Sequence, residues 1–209
     1  MARTGRPRSF DREKAVIAAM HLFWQYGYEG ASLDQLRRAM GDISSASLYA
    51  AFGSKEALYR EAVAEYLRTY GQVMTVLRDE SIPPRTRIER ALRGSANMQT
   101  APTHPTGCMV ALSATVCSES GAPVQAITAA EREANREGIV ACIKAGIEEG
   151  ALRPETDMIG MAALFEGLLV GLSIQARDGV PYAVIDAAIT QVLKVWDEWA
   201  LPCKSMWPR

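Results

Sequence analysis

The chain has 209 residues, 48% of them apolar, and a formal net charge of −1. This is enough to bury a core without disulfides or metal, and it excludes a disordered or disulfide-scaffolded peptide. The charge is unevenly spread: residues 1–60 carry nine Lys/Arg against six Asp/Glu, residues 61–209 fourteen against eighteen, which fits a basic head touching phosphates and an acidic body held off them.

The first residues form a basic arm. Arg3, Arg6 and Arg8 flank Gly5 and Pro7, which keep the segment slender and extended. Such an arm can lie in a narrow A·T minor groove, where the potential is most negative. Asp11 is placed to cap a first helix in which Val16, Ala19, Met20, Phe23 and Tyr26 recur at helical spacing, and Gly27 and Gly30 end it. Ser32 and Gln35 form an S-x-x-Q capping box for a second helix, with Leu33, Leu36 and Met40 inward. Gly41-Asp42 supplies a turn. Ser44 or Ser45 then caps a third helix of about two turns, anchored by Leu48 and Phe52. Ser54 caps a fourth, with Glu56 in its first turn, expected to run to about Leu77.

Further helices are expected over about Thr86–Thr100, Cys108–Ser118, Pro123–Gly150, Thr156–Arg177 and Tyr182–Leu201, separated by Pro- and Gly-containing breaks. No strand pattern or repeat occurs. The expectation is an all-α protein of about nine helices: a three-helix helix-turn-helix head over residues 1–60 and a larger helical bundle over 61–209.

A short helix behind a Gly turn is the sequence form of a helix-turn-helix, whose second helix enters a DNA major groove. With Leu48 and Phe52 inward, Ser45, Ala46, Ser47 and Tyr49 face outward. Small side chains allow close approach; serine hydroxyls can bond bases or phosphates, an alanine methyl suits thymine, and the Tyr49 hydroxyl can reach phosphate. Lys55 opens the next helix, where charge and free backbone donors suit a phosphate.

The run Leu48-Tyr49-Ala50-Ala51-Phe52-Gly53-Ser54-Lys55-Glu56-Ala57-Leu58, together with Phe23-Trp24-Gln25-Tyr26-Gly27-Tyr28-Glu29-Gly30-Ala31-Ser32, resembles the TetR family of bacterial transcriptional regulators. The resemblance spans about residues 10–62. It implies a ligand-responsive repressor, a homodimer on double-stranded, near-palindromic operator DNA. DNA contacts carried over by position fall on Ser32, Ser45, Ala46, Ser47, Tyr49 and Lys55. Two positions depart from the family pattern: Asp42 is an extra acidic residue in the turn, and Ala50-Ala51 stands where many relatives place histidine or another polar residue.

The resemblance also implies dimerisation through the last two helices. Gly160, Gly167 and Gly171 form a smooth stripe with Leu164, and Ile185, Ile189, Val192 and Trp196 make the last helix broadly apolar. A small-molecule effector is implied within the body, with Met98, His104, Cys108, Met109, Leu112, Met161, Phe165 and Glu166 as candidate lining. Glu166, among apolar neighbours, needs a partner: a cationic effector, a hydrogen-bonding residue or water.

His104 and Cys108 raise the alternatives of a helical small-molecule enzyme or a thiol-based redox sensor using Cys108, although Pro105 and Gly107 interrupt the helix that a paired spacing needs. Cys108, Cys117, Cys142 and Cys203 lack the close pairing of zinc ligands, so no metal or cofactor is expected and the thiols suit a reducing cytoplasm. The N-terminus lacks the apolar stretch of a secretion signal, and the apolar segment Met158–Ile174 is short for a membrane span, so no membrane association is expected.

Overall fold

The computed structural model describes residues 11–202, which form nine α-helices and, among the described residues, no strand beyond an isolated bridge between Leu152 and Ala200. Helix α1 (Arg12–Gly30) starts at Asp11, whose side chain accepts from the Lys14 amide. Its inward positions Ala15, Val16, Ala19, Met20, Phe23 and Trp24 are all buried. Gly27 breaks it with φ +74°, a conformation costly for any residue with a Cβ, and a Cβ there would lie 3.2 Å from the Ser113 carbonyl oxygen. That oxygen accepts from the Tyr28 amide at 2.7 Å.

Helix α2 (Leu33–Ala39) carries the full capping box between Ser32 and Gln35. Helices α3 (Ser45–Phe52) and α4 (Lys55–Thr69) are capped by Ser44 and Ser54. α4 packs along α1, and Phe23 meets Tyr59 edge-on with centroids 5.1 Å apart.

Two helices are shorter than expected. α4 stops at Thr69, and Gly71–Arg78 winds as a 3-10 helix instead of carrying α4 on to Leu77. Gly71 and the β-branched Val73, Thr75 and Val76 are weak α-helix formers, and the tighter winding seats Leu77 against Gly138, where a Cβ would lie 3.2 Å from it. The helix expected over Cys108–Ser118 is the single turn α6 (Met109–Leu112). Ser113 is held by the head through its carbonyl and through its hydroxyl, which is 2.5 Å from the Tyr59 hydroxyl, so the chain leaves the helical path there.

In the body, α5 (Pro84–Thr100) packs against α7 (Ala122–Glu148), α8 (Met158–Arg177) and α9 (Tyr182–Trp199). Their buried faces form one core that includes Leu92, Ile143, Phe165, Leu172, Ile189 and Trp196. The head's core does not stop at α4: it continues through Met109, Val110, Ala114 and Val124.

Candidate nucleic-acid interface and body cavity

α3 is a rigid tip. Leu48 and Phe52 are 1% and 5% exposed, whereas Ser45, Ala46, Ser47 and Tyr49 are all on the solvent side. The Ser44 hydroxyl accepts from the Ser47 amide and lies 2.9 Å from the Ser47 hydroxyl, so the helix start is tied twice. The α2–α3 turn absorbs its extra residue by left-handed backbone at Gly41 (φ +93°) and Asp42 (φ +59°). Arg37 closes it, its Nε donating to the Ile43 carbonyl at 2.8 Å while its own carbonyl accepts from the Ile43 amide. Asp42 is exposed on this turn.

Ser32 is exposed at the start of α2, with its hydroxyl oxygen accepting from the Gln35 amide. Lys55 is half-buried, its Nζ 4.5 Å from the centroid of the Tyr28 ring. Burial lowers its pKa, and the nearby Glu29 carboxylate offsets part of that. The ammonium therefore starts from a fixed position over an aromatic face. Arg3, Arg6 and Arg8 lie outside the described residues.

The residues expected in a dimer seam divide between the outer face and the core. Leu164, Gly167 and Gly171 lie on the outer side of α8, and a Cβ at Gly167 or Gly171 would meet nothing within 4 Å. Ile159, Ile174 and Val184 are exposed on the same two helices, and Val192 is half-buried. Gly160 is exposed, and its amide donates to the Asp157 side chain that caps α8. Ile185, Ile189 and Trp196, expected in a seam, are at most 2% exposed and belong to the chain's own core. A broadly apolar α9 serves its own bundle first.

A cavity of about 50 Å³ lies between α4, the 3-10 segment, α5, α6, α7 and α8. Of the expected lining, Met98, Cys108 and Glu166 are in its wall. His104, Met109, Leu112, Met161 and Phe165 are not. Met109 and Phe165 are fully buried in the packed cores and Met161 is 5% exposed, while the Leu112 side chain turns toward Gly107. His104 instead stacks on Trp24 with centroids 4.6 Å apart. Glu166 has a protein partner that removes the need for a cationic effector: Arg136 donates to both its oxygens at 2.6 and 2.7 Å.

The Cys108 thiol accepts from the Tyr66 hydroxyl at 3.3 Å, and burial pushes its pKa up, which favours the unreactive thiol. His104 Nδ1 lies 3.0 Å from the Pro105 carbonyl oxygen, while the thiol's hydrogen-bond partner is Tyr66.

Two features were missed. Ser95 and Gln99 form a buried polar pair in the cavity wall, legible only as an i, i+4 pair once α5's inward face is known. Arg177, the last residue of α8, reaches the head. Its Nη2 and Nη1 donate to the Trp24 and Gln25 carbonyls at 2.9 and 3.0 Å, and its Nε to the Thr106 carbonyl at 2.8 Å. The Trp24 indole in turn donates to the Gly107 carbonyl at 2.9 Å.

A capped, outward-facing short helix behind a pinned turn, borne on a helical body, defines a helix-turn-helix DNA-binding transcriptional regulator. Within that class, the chain belongs to the tetR family of bacterial regulatory proteins: residues 16–62 match the family's N-terminal domain and residues 84–190 a tetracyclin repressor-like C-terminal domain. The HTH-type transcriptional repressor ComR of Escherichia coli (strain K12) is 29% identical over 200 residues, 93% of this chain and 92% of that protein. The HTH-type transcriptional repressor BdcR of the same strain is 36% identical over 107 residues, 51% of this chain and 53% of that protein. Among solved structures, a cysteine mutant of the TetR family transcriptional regulator CifR, complexed with 26bp double-strand operator DNA, superposes with TM-score 0.84. It is 39% identical, over 91% of this chain and all of that one.

Proposed function

We propose that this chain is a ligand-responsive repressor that works as a homodimer on a near-palindromic operator. The observation that carries this reading is the α3 tip: Ser45, Ala46, Ser47 and Tyr49 are presented to solvent by a helix anchored at Leu48 and Phe52. Two heads then lie in successive major grooves, ~34–36 Å apart. The outer faces of α8 and α9, open at Gly167 and Gly171, support an isologous four-helix seam. α8 is long and apolar enough to cross a bilayer by composition, and the seam gives its exposed apolar positions a protein partner instead.

The cavity supports the effector part of the reading. Its wall includes Tyr66 and Leu67 of α4 and Cys108, Val110 and Ala111 of the loop and turn that follow α5. The same segment holds the head through Gly107 and Ser113. A ligand that expands the cavity moves both α4 and this segment, and so shifts the head. To release DNA it has to favour the DNA-incompetent state by a few kcal/mol. The raised pKa of Cys108 and the stacking of His104 on Trp24 give the enzyme and redox alternatives no support.

The test is a gel-shift of the purified protein with the intergenic DNA upstream of its own gene. Selective retardation against unrelated duplex is expected. Equal retardation of both would refute operator reading by α3.

A further inference from the structure

A buried polar atom without a partner is rare, and in a cavity wall it marks where a ligand's polar group belongs. Ser95 and Gln99, one turn apart on α5, are 3% and 1% exposed and both line the body cavity. Gln99 Nε2 donates to Ser95 Oγ at 2.7 Å, which leaves Gln99 Oε1 without a partner. With the amide turned over, Ser95 would donate to the oxygen, and the amide N–H groups would lack an acceptor. Either way one polar end of a buried amide is left over at the wall.

Three other polar groups of the wall are engaged: Ser173 Oγ donates to the Leu169 carbonyl, Tyr66 to Cys108, and Arg132 Nη1 to the Val110 carbonyl, while Asn135 lines the wall half-buried. The charges at and beside the wall, Glu133 and Glu166 against Arg132 and Arg136, balance two against two, so the wall does not select an ion. The rest is mostly hydrocarbon and thioether, including Leu67, Val73, Met74 and Met98. A volume of about 50 Å³ holds three to five waters at ~10–15 Å³ each, which limits the occupant to a small molecule.

We infer that the effector is a small neutral alcohol or phenol whose hydroxyl meets Gln99 and whose hydrocarbon part lies against Met98 and Leu169. This rests on the reading of the body as an effector domain and gives that effector a chemical class. A hydroxyl both donates and accepts, so it completes the Gln99 amide in either orientation. An ion would bring an uncompensated charge into the wall, and a pure hydrocarbon would leave the amide as it is.

Phenol and toluene, which exchange a hydroxyl for a methyl of similar size, are the probes. Dissociation constants for both are measured on the full-length protein by ligand-observed NMR, in parallel with gel-shift of the operator. The unmodified protein is expected to bind phenol about 3- to 10-fold more tightly than toluene, the range of one net hydrogen bond. Gln99→Met is expected to abolish or reverse that preference.

Equal binding of the two probes to the unmodified protein overturns the inference, and so does a folded Gln99→Met protein that keeps the phenol preference. The comparison on the unmodified protein decides the matter even if the variant does not fold. Phenol binding that leaves the operator complex intact sustains the ligand class and sinks the effector reading. Operator binding without a phenol preference sustains the regulator and sinks the ligand class.

Discussion

Replacing Arg177 with methionine tests whether the body holds the head through this one side chain. The guanidinium serves three carbonyls: Trp24 and Gln25 at the end of the first turn-run of α1, before the Gly27 break, and Thr106. Hydrogen bonds from a charged donor are worth ~1.5–3 kcal/mol each, and a cation at a helix C-terminus adds ~0.3–1 kcal/mol. Against this, burial lowers the Arg177 pKa, which means the folded protein holds the charged form at a cost that methionine avoids. Water can also reach the exposed Gln25 carbonyl in the variant. A net loss of about 2–3 kcal/mol is expected, or roughly 1 M in the urea midpoint at a slope of ~2–3 kcal/mol/M. Trp24, stacked on His104, makes tryptophan fluorescence a suitable readout. Arg177→Lys should recover less than half of the loss, since a single ammonium cannot match the guanidinium's fork to three acceptors. A methionine variant within about 0.5 kcal/mol of the unmodified protein, inside the usual range for surface substitutions, would refute the reasoning.

Three further expectations follow from the geometry. Lys55→Ala should weaken binding to every duplex by a similar factor and reduce the salt slope of log K by about one unit; an unchanged slope in fluorescence anisotropy titrations removes Lys55 from the phosphate contacts. Gly167→Leu fits the single chain, whose structure offers open space there, yet blocks a close helix approach; it should sediment as a monomer with its helical content intact, and dimeric sedimentation would place the seam elsewhere. Burial, and then the neighbouring His104, hold the His21 imidazole below its ordinary value, so between ~6.5 and its lower folded value the unfolded chain binds the extra proton. Stability should therefore fall as pH drops through ~6.5, and His21→Gln should flatten the urea midpoint between pH 7.5 and 5.5; an identical pH dependence in the variant would clear His21 of the effect.

Much of the head was legible because its determinants are local. Asp11, Ser32 and Ser54 cap helices with donors three residues on, and Leu48 and Phe52 fix by spacing alone which face of α3 is left to solvent. The body was less so. An apolar α9 looks the same whether Ile185, Ile189 and Trp196 meet their own bundle or a second copy. α4 had no stop signal stronger than Gly71, and the single-turn α6 depends on Ser113 being gripped by tyrosines that are far away in sequence. Glu166 finds Arg136 across 30 residues, and Arg177 finds Gln25 across 152, distances at which no local pattern speaks. Gln99 stood out only when its neighbours were known, because its oddity is an absence of partners.

The gripping of Ser113 also limits how this protein can be taken apart. Tyr28, Tyr59 and Trp24 each spend a hydrogen bond on residues 107–113, and Met109 and Val110 complete the floor beneath them. A fragment ending near residue 60 would bare that floor, so the head is not a detachable cassette. Chimeras that graft it onto a relative's helical body have to carry the 101–113 segment along with it, so the DNA-reading tip and this part of the body are inherited together.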